Sequence, residues 1–515
     1  MTSRTKKAFK GTITSLLQYS ILIVLQVILT PLILKIAGQD VLGAYSIIMQ
    51  IIGYGILLDL GFSVALSRFL SQAHGLNDQG KRFAEVFTIG RVFLIVTNLV
   101  FAGLIFLVAL NIGKLMVASE PVLSQARVAL CFLAIWLVFR TPVALYNHGL
   151  VATQNMAAAN LLTIVGNMAR LTLSLLMVYV GYGLIGLIVA NVLSEAIALI
   201  AQMIYFKKKY PQHVFGWKIG DHKLFTNILS FGARYWGVNL AAVIFLGSDI
   251  IIVGNLYGAT AASIFYTTKI PAFLLIQFIF KISDNASAAT NELFAQNNLN
   301  AIRVAYIKVL RYSLLLALPF AIGLIGFNGH VITAWVGSGQ YAGDIMTMGL
   351  AAFALTQVVN HINAMITLAA GDLRRWSVIS ILTALMSLVL SYWMGKKFGL
   401  QWVMVAIAVM DIPNAIFLFN RGVAGLKLTA TQIFYQAILP TILVCLPLLI
   451  FCIYIKLNDF VPAFAILFKN IFLFFVLWVG CVFFMGLTEY EKQIIKNKFI
   501  KLNSKIRKLI RCNIY

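Results

Sequence analysis

Of 515 residues, 61% are hydrophobic and only 11% are charged, and the mean hydropathy is +0.92. Soluble domains carry about 25% charged residues, so the composition excludes a water-soluble globular chain and describes an integral membrane protein. A net charge of +24 would suit nucleic acid only on a soluble basic face; no such segment interrupts the apolar runs, and the excess fits the Lys and Arg that fix membrane topology.

The chain starts basic, MTSRTKKAFKG, and enters an apolar run at about 15–37. That run is too long for a signal-peptide core and lacks a convincing cleavage site, so it reads as a retained first span. The next stretch, VLGAYSIIMQIIGYGILLDLGFSVALSRFLSQA (41–73), is the one around which the chain is organised. It carries Asp59 well inside apolar sequence, with glycines at Gly43, Gly53, Gly55 and Gly61. A carboxylate at mid-bilayer costs about 2.5–3.5 kcal/mol on insertion scales, so Asp59 should face protein or water. The glycines permit close helix approach or a bend.

Each crossing helix needs about 20 apolar residues. Apolar runs of that length predict about fourteen transmembrane helices, at 15–37, 41–66, 84–110, 124–149, 158–180, 184–206, 229–254, 259–283, 306–327, 344–370, 376–395, 401–420, 433–455 and 464–487. With the N-terminus cytoplasmic, 28 of the 40 Lys and Arg fall on the cytoplasmic side, seven on the other side and five inside spans. That bias predicts both termini in the cytoplasm. Of the five cysteines, Cys131, Cys445, Cys452 and Cys481 sit in apolar runs and none forms a CxxC with another, so they read as small buried hydrophobes rather than a disulfide framework or metal site.

A long basic loop, KKKYPQHVFGWKIGDHK (207–223), follows the sixth span and separates two halves. The expected organisation is an N-terminal lobe at 1–206, a cytoplasmic basic linker at 207–228, a C-terminal lobe at 229–420, two further spans at 421–487 and a basic tail at 488–515. The span pattern repeats at an offset of 221 residues, aligning Tyr45 with Tyr266 and Arg82 with Arg303, as parallel repeats do. Within the tail, Ile494, Ile495, Phe499, Leu502, Ile506, Leu509 and Ile510 gather on one helical face, the pattern of an interfacial helix drawn to anionic lipid.

The five intramembrane cations are Arg91, Arg140, Arg170, Arg234 and Lys269; the intramembrane acids are Asp59, Glu195, Asp249 and Asp411. Two readings stand side by side. The cations line a water-filled cavity and attract an anion, Arg being suited to bidentate phosphate recognition; or they pair with the four acids between helices or snorkel to the interface. His148 and His361 stand far apart with no nucleophile or metal-ligand spacing around them, and read as structural histidines. No catalytic constellation, metal site or cofactor motif emerges.

The stretch LGAYSIIMQIIGYGILLDLGFSVALSRFLSQA (42–73) resembles the second helix of polysaccharide (O-antigen type) flippases in the multidrug/oligosaccharidyl-lipid/polysaccharide (MOP) exporter superfamily. Arg170 followed by GYGLIGLIVA (181–190) is similar to that family's Arg helix and glycine-rich turn, and FGARYWGVNLAAVIFLGSDIIIVGNLYG (231–258) matches its seventh span. The resemblance implies an all-α polytopic fold: two pseudo-symmetric six-helix lobes around a central cavity, plus two C-terminal helices. It implies a transporter in the bacterial inner membrane that moves an undecaprenyl-diphosphate-linked oligosaccharide from the cytoplasmic to the periplasmic leaflet for surface polysaccharide (O-antigen or capsule). Arg140, Arg170, Lys269, Arg234 and Arg91 become candidates for the diphosphate and glycan cavity. Asp59, Glu195, Asp249 and Asp411 become candidates for coupling to H+ or Na+. Asn147, Asn160, Asn167, Asn239, Gln357, Asn360, Asn363, Tyr235 and Trp236 offer a glycan hydrogen-bonding and aromatic surface, or serve as interhelical contacts. Partners would be membrane lipids and the polymerase and glycosyltransferases of the same polysaccharide.

Three other functions compete. A multidrug exporter of the same superfamily would want acids and aromatics for organic cations, whereas intramembrane cations outnumber acids five to four here. A peptidoglycan lipid-precursor flippase shares the cationic logic. A membrane glycosyltransferase or polymerase would need acids on a large outer loop, and the longest such loop, NGHVITAWVGSGQYAG (328–343), has none.

Overall fold

The computed structural model describes residues 3–59, 61–76, 80–211, 222–295, 299–370, 373–457, 464–493 and 497. Among the described residues the regular structure is entirely helical. In lipid every backbone N–H and C=O must be satisfied within its own segment, which leaves the helix as the natural choice for runs this apolar.

The first half contains α1 (Ser3–Ala37), α2 (Gln39–Gly53), α3 (Phe62–His74), α4 (Lys81–Leu110), α5 (Glu120–Ala152), α6 (Met156–Tyr179) and α7 (Gly183–Lys209). Then follow α8 (His222–Ala295), α9 (Leu299–Val336), α10 (Asp344–Ala370), α11 (Leu373–Phe398), α12 (Gln401–Gly425), α13 (Leu439–Leu457) and α14 (Phe464–Cys481). Among the described residues, twelve helices are long and apolar enough to cross a bilayer. One of them, Trp236–Phe280, is 45 residues long, about twice what one crossing needs. It changes direction at Gly258, whose φ of 87° belongs to the left-handed region, and so takes in most of both the seventh and the eighth expected spans.

The second expected span is absent from the twelve because it is interrupted. α2 ends at Gly53, a single turn covers Gly55–Leu58, and α3 restarts after Gly61 at φ 70°. A Cβ on Gly61 would lie 2.4 Å from the Gly232 carbonyl oxygen, so only glycine fits both the angle and the space. Two side chains repair the break. Asp59 accepts from the Ser63 backbone N–H (3.1 Å) and hydroxyl (3.0 Å), capping the start of α3. The Trp236 indole N–H donates to the Leu57 carbonyl at 2.5 Å. The glycine-and-acid signature of 41–73 therefore marks a bend.

Two compact units divide the chain. The larger comprises Met1–Leu274, Ile332–Thr356 and Gly371–Leu418. Within it α6 packs on α7 and α1, α5 on α4 and α7, and α3 on α4 and α5. Phe62 stacks on Phe93 at 3.9 Å, and the buried rings of Phe83, Phe87 and Phe206 stack at 6.1–6.3 Å. A backbone seam also forms here: the Val117 N–H donates to the Gly254 carbonyl (3.2 Å), and the Ala259 N–H donates to the Val117 carbonyl (2.8 Å).

The smaller unit comprises Leu275–Val331, Gln357–Ala370 and Phe419–Tyr515. Leu315, Val444 and Leu448 form a buried cluster in it, with Phe474 and Trp478 against them, and the Trp478 indole donates to the Leu315 carbonyl at 3.0 Å. Thr488 and Glu491 exchange backbone and side-chain hydrogen bonds at 2.9 and 3.4 Å, a reciprocal cap just beyond the last span. Arg311 and Tyr312 both donate to the Glu491 carboxylate. The central part of the basic linker, 212–221, and the amphipathic tail beyond Gln493 lie outside the described residues, Asn497 apart.

Candidate functional site

Inside the larger unit, α5, α6 and α7 line a cavity of about 340 Å³, to which α2 adds Met49 and Ile52. Helical spacing explains how polar side chains reach it. Trp136, Arg140 and Asn147 stand four and seven residues apart on α5; Thr163, Asn167 and Arg170 repeat four and three apart on α6. On α7, Asn191, Ser194, Glu195 and Gln202 follow the same period. Each helix therefore turns a polar stripe toward the cavity.

One end of the polar lining is a satisfied amide network. The Asn147 amide donates to Gln202 Oε1 (3.0 Å), and Gln202 Nε2 donates to Thr163 Oγ1 (3.1 Å) and to the Ala159 carbonyl (3.2 Å). The other component is ionic. Arg140 Nη2 and Glu195 Oε1 are 2.8 Å apart, and the Trp136 indole N–H donates to Glu195 Oε2 at 2.9 Å. Arg170 is half-buried, and among the described residues neither a carboxylate nor a hydrogen-bond acceptor contacts it; its Nε is buried without a partner. The Nε of Arg140 is likewise buried and unpartnered. Two arginines and one glutamate leave the cavity with an excess of one positive charge. A cation held in a low-dielectric surrounding without a counter-charge is expensive, which makes this cavity a candidate site.

The remaining candidate residues lie elsewhere. Lys269 and Asp249 form a closed pair with Nζ–Oδ2 2.5 Å, at side-chain exposures of 6% and 1%. Lys269 Nζ also reaches the Leu246 carbonyl (3.1 Å) and stands 4.0 Å above the Phe273 ring. Asp411 is fully buried and accepts from Thr356 Oγ1 at 2.6 Å. Asp59 caps α3 as described. Arg91 is half-buried, with its guanidinium 5.5 Å from the Phe87 ring centre. The Arg234 and Tyr235 side chains fall outside the described residues.

Among the candidate glycan contacts, Asn147 and Asn167 line the cavity. Asn160 instead ties α6 to α1 through the Gly11 carbonyl and the Thr14 and Ser15 hydroxyls, at 2.9–3.3 Å. Asn363 accepts from the Tyr306 hydroxyl at 2.8 Å in the smaller unit. Asn191, Gln202 and Trp136 were not among the sequence candidates. Their signal is the period itself: a polar residue every third or fourth position along an otherwise apolar helix.

A multi-pass helical membrane protein with a net-cationic cavity inside a helix bundle is built like a transporter. A family model described as polysaccharide biosynthesis protein matches residues 8–287, and the chain belongs to that family. Solved structures agree on the fold, which is that of the MOP exporter superfamily. The lipid II flippase MurJ in an inward closed conformation superposes with a TM-score of 0.69 at 15% identity, covering 92% of this chain and 97% of that one. An inward-facing multidrug resistance MATE family transporter gives 0.64 at 16% identity, covering 79% and 96%. A MOP superfamily transporter from Pyrococcus furiosus, described as having a binding pocket of reverse polarity, gives 0.59 at 17%, covering 83% and 97%. A comparison with curated protein sequences gives no match.

Proposed function

We propose that this protein is a flippase for a polyprenyl-diphosphate-linked oligosaccharide, carrying it from the cytoplasmic to the periplasmic leaflet for assembly of a surface polysaccharide such as O-antigen or capsule. The observation that carries the reading is Arg170, held in a net-cationic cavity with no acceptor among the described residues. A diphosphate supplies the missing acceptors, since guanidinium and phosphate match in charge and in hydrogen-bond geometry. The amide and indole groups of Asn147, Asn167, Asn191 and Trp136 suit the sugar that follows it. Membership of the polysaccharide biosynthesis family supports the glycan, and an organic cation would be repelled by the same cavity.

In this reading the lobes 1–206 and 229–420 give alternating access, and both termini face the cytoplasm of the inner membrane. Arg91 and Arg234 serve the path of the anion outside the cavity, while Lys269, closed on Asp249, is a structural charge. Moving two negative charges outward across a membrane negative inside is favourable by roughly 4–5 kcal/mol per 100 mV, so the potential drives export. H+ or Na+ taken up at Glu195, with Asp59, Asp249 and Asp411 as further candidates, resets the carrier. Polymerase and glycosyltransferases of the same polysaccharide would stand on either side of it.

Proteoliposomes holding the purified protein and a fluorescent polyprenyl-diphosphate oligosaccharide test the reading through quencher accessibility. Protein-dependent transfer between leaflets, slowed by Arg170→Ala, is the expected result. No transfer under an imposed potential or pH gradient, with transport of an organic cation instead, would move the chain to drug export.

A further inference from the structure

Among the described residues that line the cavity, Glu195 alone is acidic. Its side chain is 34% exposed and that of its partner Arg140 is 37% exposed, so the pair faces the cavity rather than lying sealed between helices. The pairing is incomplete. Among the described residues, the buried Nε atoms of Arg140 and of Arg170 in the same cavity have no hydrogen-bond partner. Two guanidinium groups offer about ten N–H donors; one carboxylate meets only a fraction of them. Glu195 has a second hold, the Trp136 indole at 2.9 Å, which would stay with the carboxylate after Arg140 left it.

We infer that Glu195 is an internal surrogate for the substrate's anion: it occupies Arg140 while the cavity is empty and is displaced from it when a diphosphate binds. The inference rests on the reading of the cavity as a diphosphate site. A carboxylate presents two oxygens to a guanidinium much as a phosphate does, so the exchange is like for like. Incoming phosphate takes over Arg140 and fills the vacancy at Arg170, while Trp136 keeps the released carboxylate hydrogen-bonded. The surrogate lowers affinity for the anion and removes the penalty of leaving Arg140 bare after release. Both effects favour turnover over tight retention.

The test uses full-length protein in nanodiscs of zwitterionic lipid, titrated calorimetrically with farnesyl diphosphate. Glu195→Gln removes the competing charge and should bind the probe about tenfold more tightly, within the usual range of coupling between sites. The gain should vanish in the Arg140→Ala background, since it is exerted through Arg140. Trp136→Phe loosens the surrogate's second hold while leaving its charge, and should shift affinity about threefold. Tryptophan emission should also change on adding the probe in wild type and change less in Trp136→Phe. Wild-type binding with an equal or weaker Glu195→Gln overturns the surrogate role and leaves the diphosphate site standing. Binding by neither protein overturns the diphosphate site and the surrogate together. If Glu195→Gln does not fold, an unaltered affinity and emission response in Trp136→Phe overturns the surrogate.

Discussion

Two ion pairs of the larger unit show how little a charge inside a membrane span says by itself. Lys269 and Asp249 are sealed, one acid to one base, with a carbonyl and an aromatic ring completing the ammonium's surroundings. Arg140 and Glu195 are open to a cavity and share it with Arg170, which has no acceptor among the described residues. The first arrangement is neutral and complete; the second carries surplus charge and surplus donors. Only the incomplete set has something to offer a ligand.

The largest effect expected from this contrast is on stability. Asp249→Asn leaves a buried ammonium without its counter-charge and should cost about 3–5 kcal/mol, read as unfolding in detergent. Replacing both members, Asp249→Leu with Lys269→Met, should recover most of that loss. An Asp249→Asn protein as stable as wild type would erase the distinction between the two pairs. Arg170→Ala should do the opposite. Flipping should fall by about 10-fold or more, the worth of hydrogen bonds to a charged group, while the unfolding midpoint stays level or rises.

Asp59 sharpens the comparison next. If capping is its task, Asp59→Ala should cost about 1 kcal/mol and Asp59→Asn much less, because asparagine caps as well. Transport lost in Asp59→Asn would mark it as a coupling carboxylate instead. The smallest effect concerns Glu491, beyond the last span. Burial raises its pKa, but hydrogen bonds from Tyr312 and Thr488 and the Arg311 charge outweigh it, leaving the value below normal. A depressed folded value means its stabilisation is complete above the unfolded pKa of about 4.3 and is lost as pH falls through the folded value. Stability should therefore be level in this respect from pH 7 to 5 and decline in more acid solution, with the decline reduced in Glu491→Gln.

Much of the fold could be read from residues alone, because hydrocarbon imposes one rule on every span: apolar surface and internal hydrogen bonds. The basic loops and apolar runs follow that rule and announce the crossings directly. The interruption at Gly53–Gly61 was legible as a bend but not as a gap between two helices, since that depends on where Gly232 lies. The site was legible only in part. Arg140, Arg170 and Glu195 stand out as charges in apolar sequence. That Lys269 would close on Asp249, while Arg170 would remain without an acceptor, depends on which helix faces meet, and composition does not encode that. Asn191 and Gln202 were hidden differently: an amide in a span is ordinary until three such stripes converge.

The seam at Val117 has a consequence for how this chain tolerates change. Its two hydrogen bonds, to Gly254 and from Ala259, use only main-chain groups, and every amino acid except proline carries both of them. Val117 as a residue is 62% exposed, and its side chain adds little to the join. A saturation scan at this position should therefore be almost silent, with proline as the one substitution that removes the N–H donor. A contact written in main-chain atoms leaves no mark in the side chain at position 117 by which to find it.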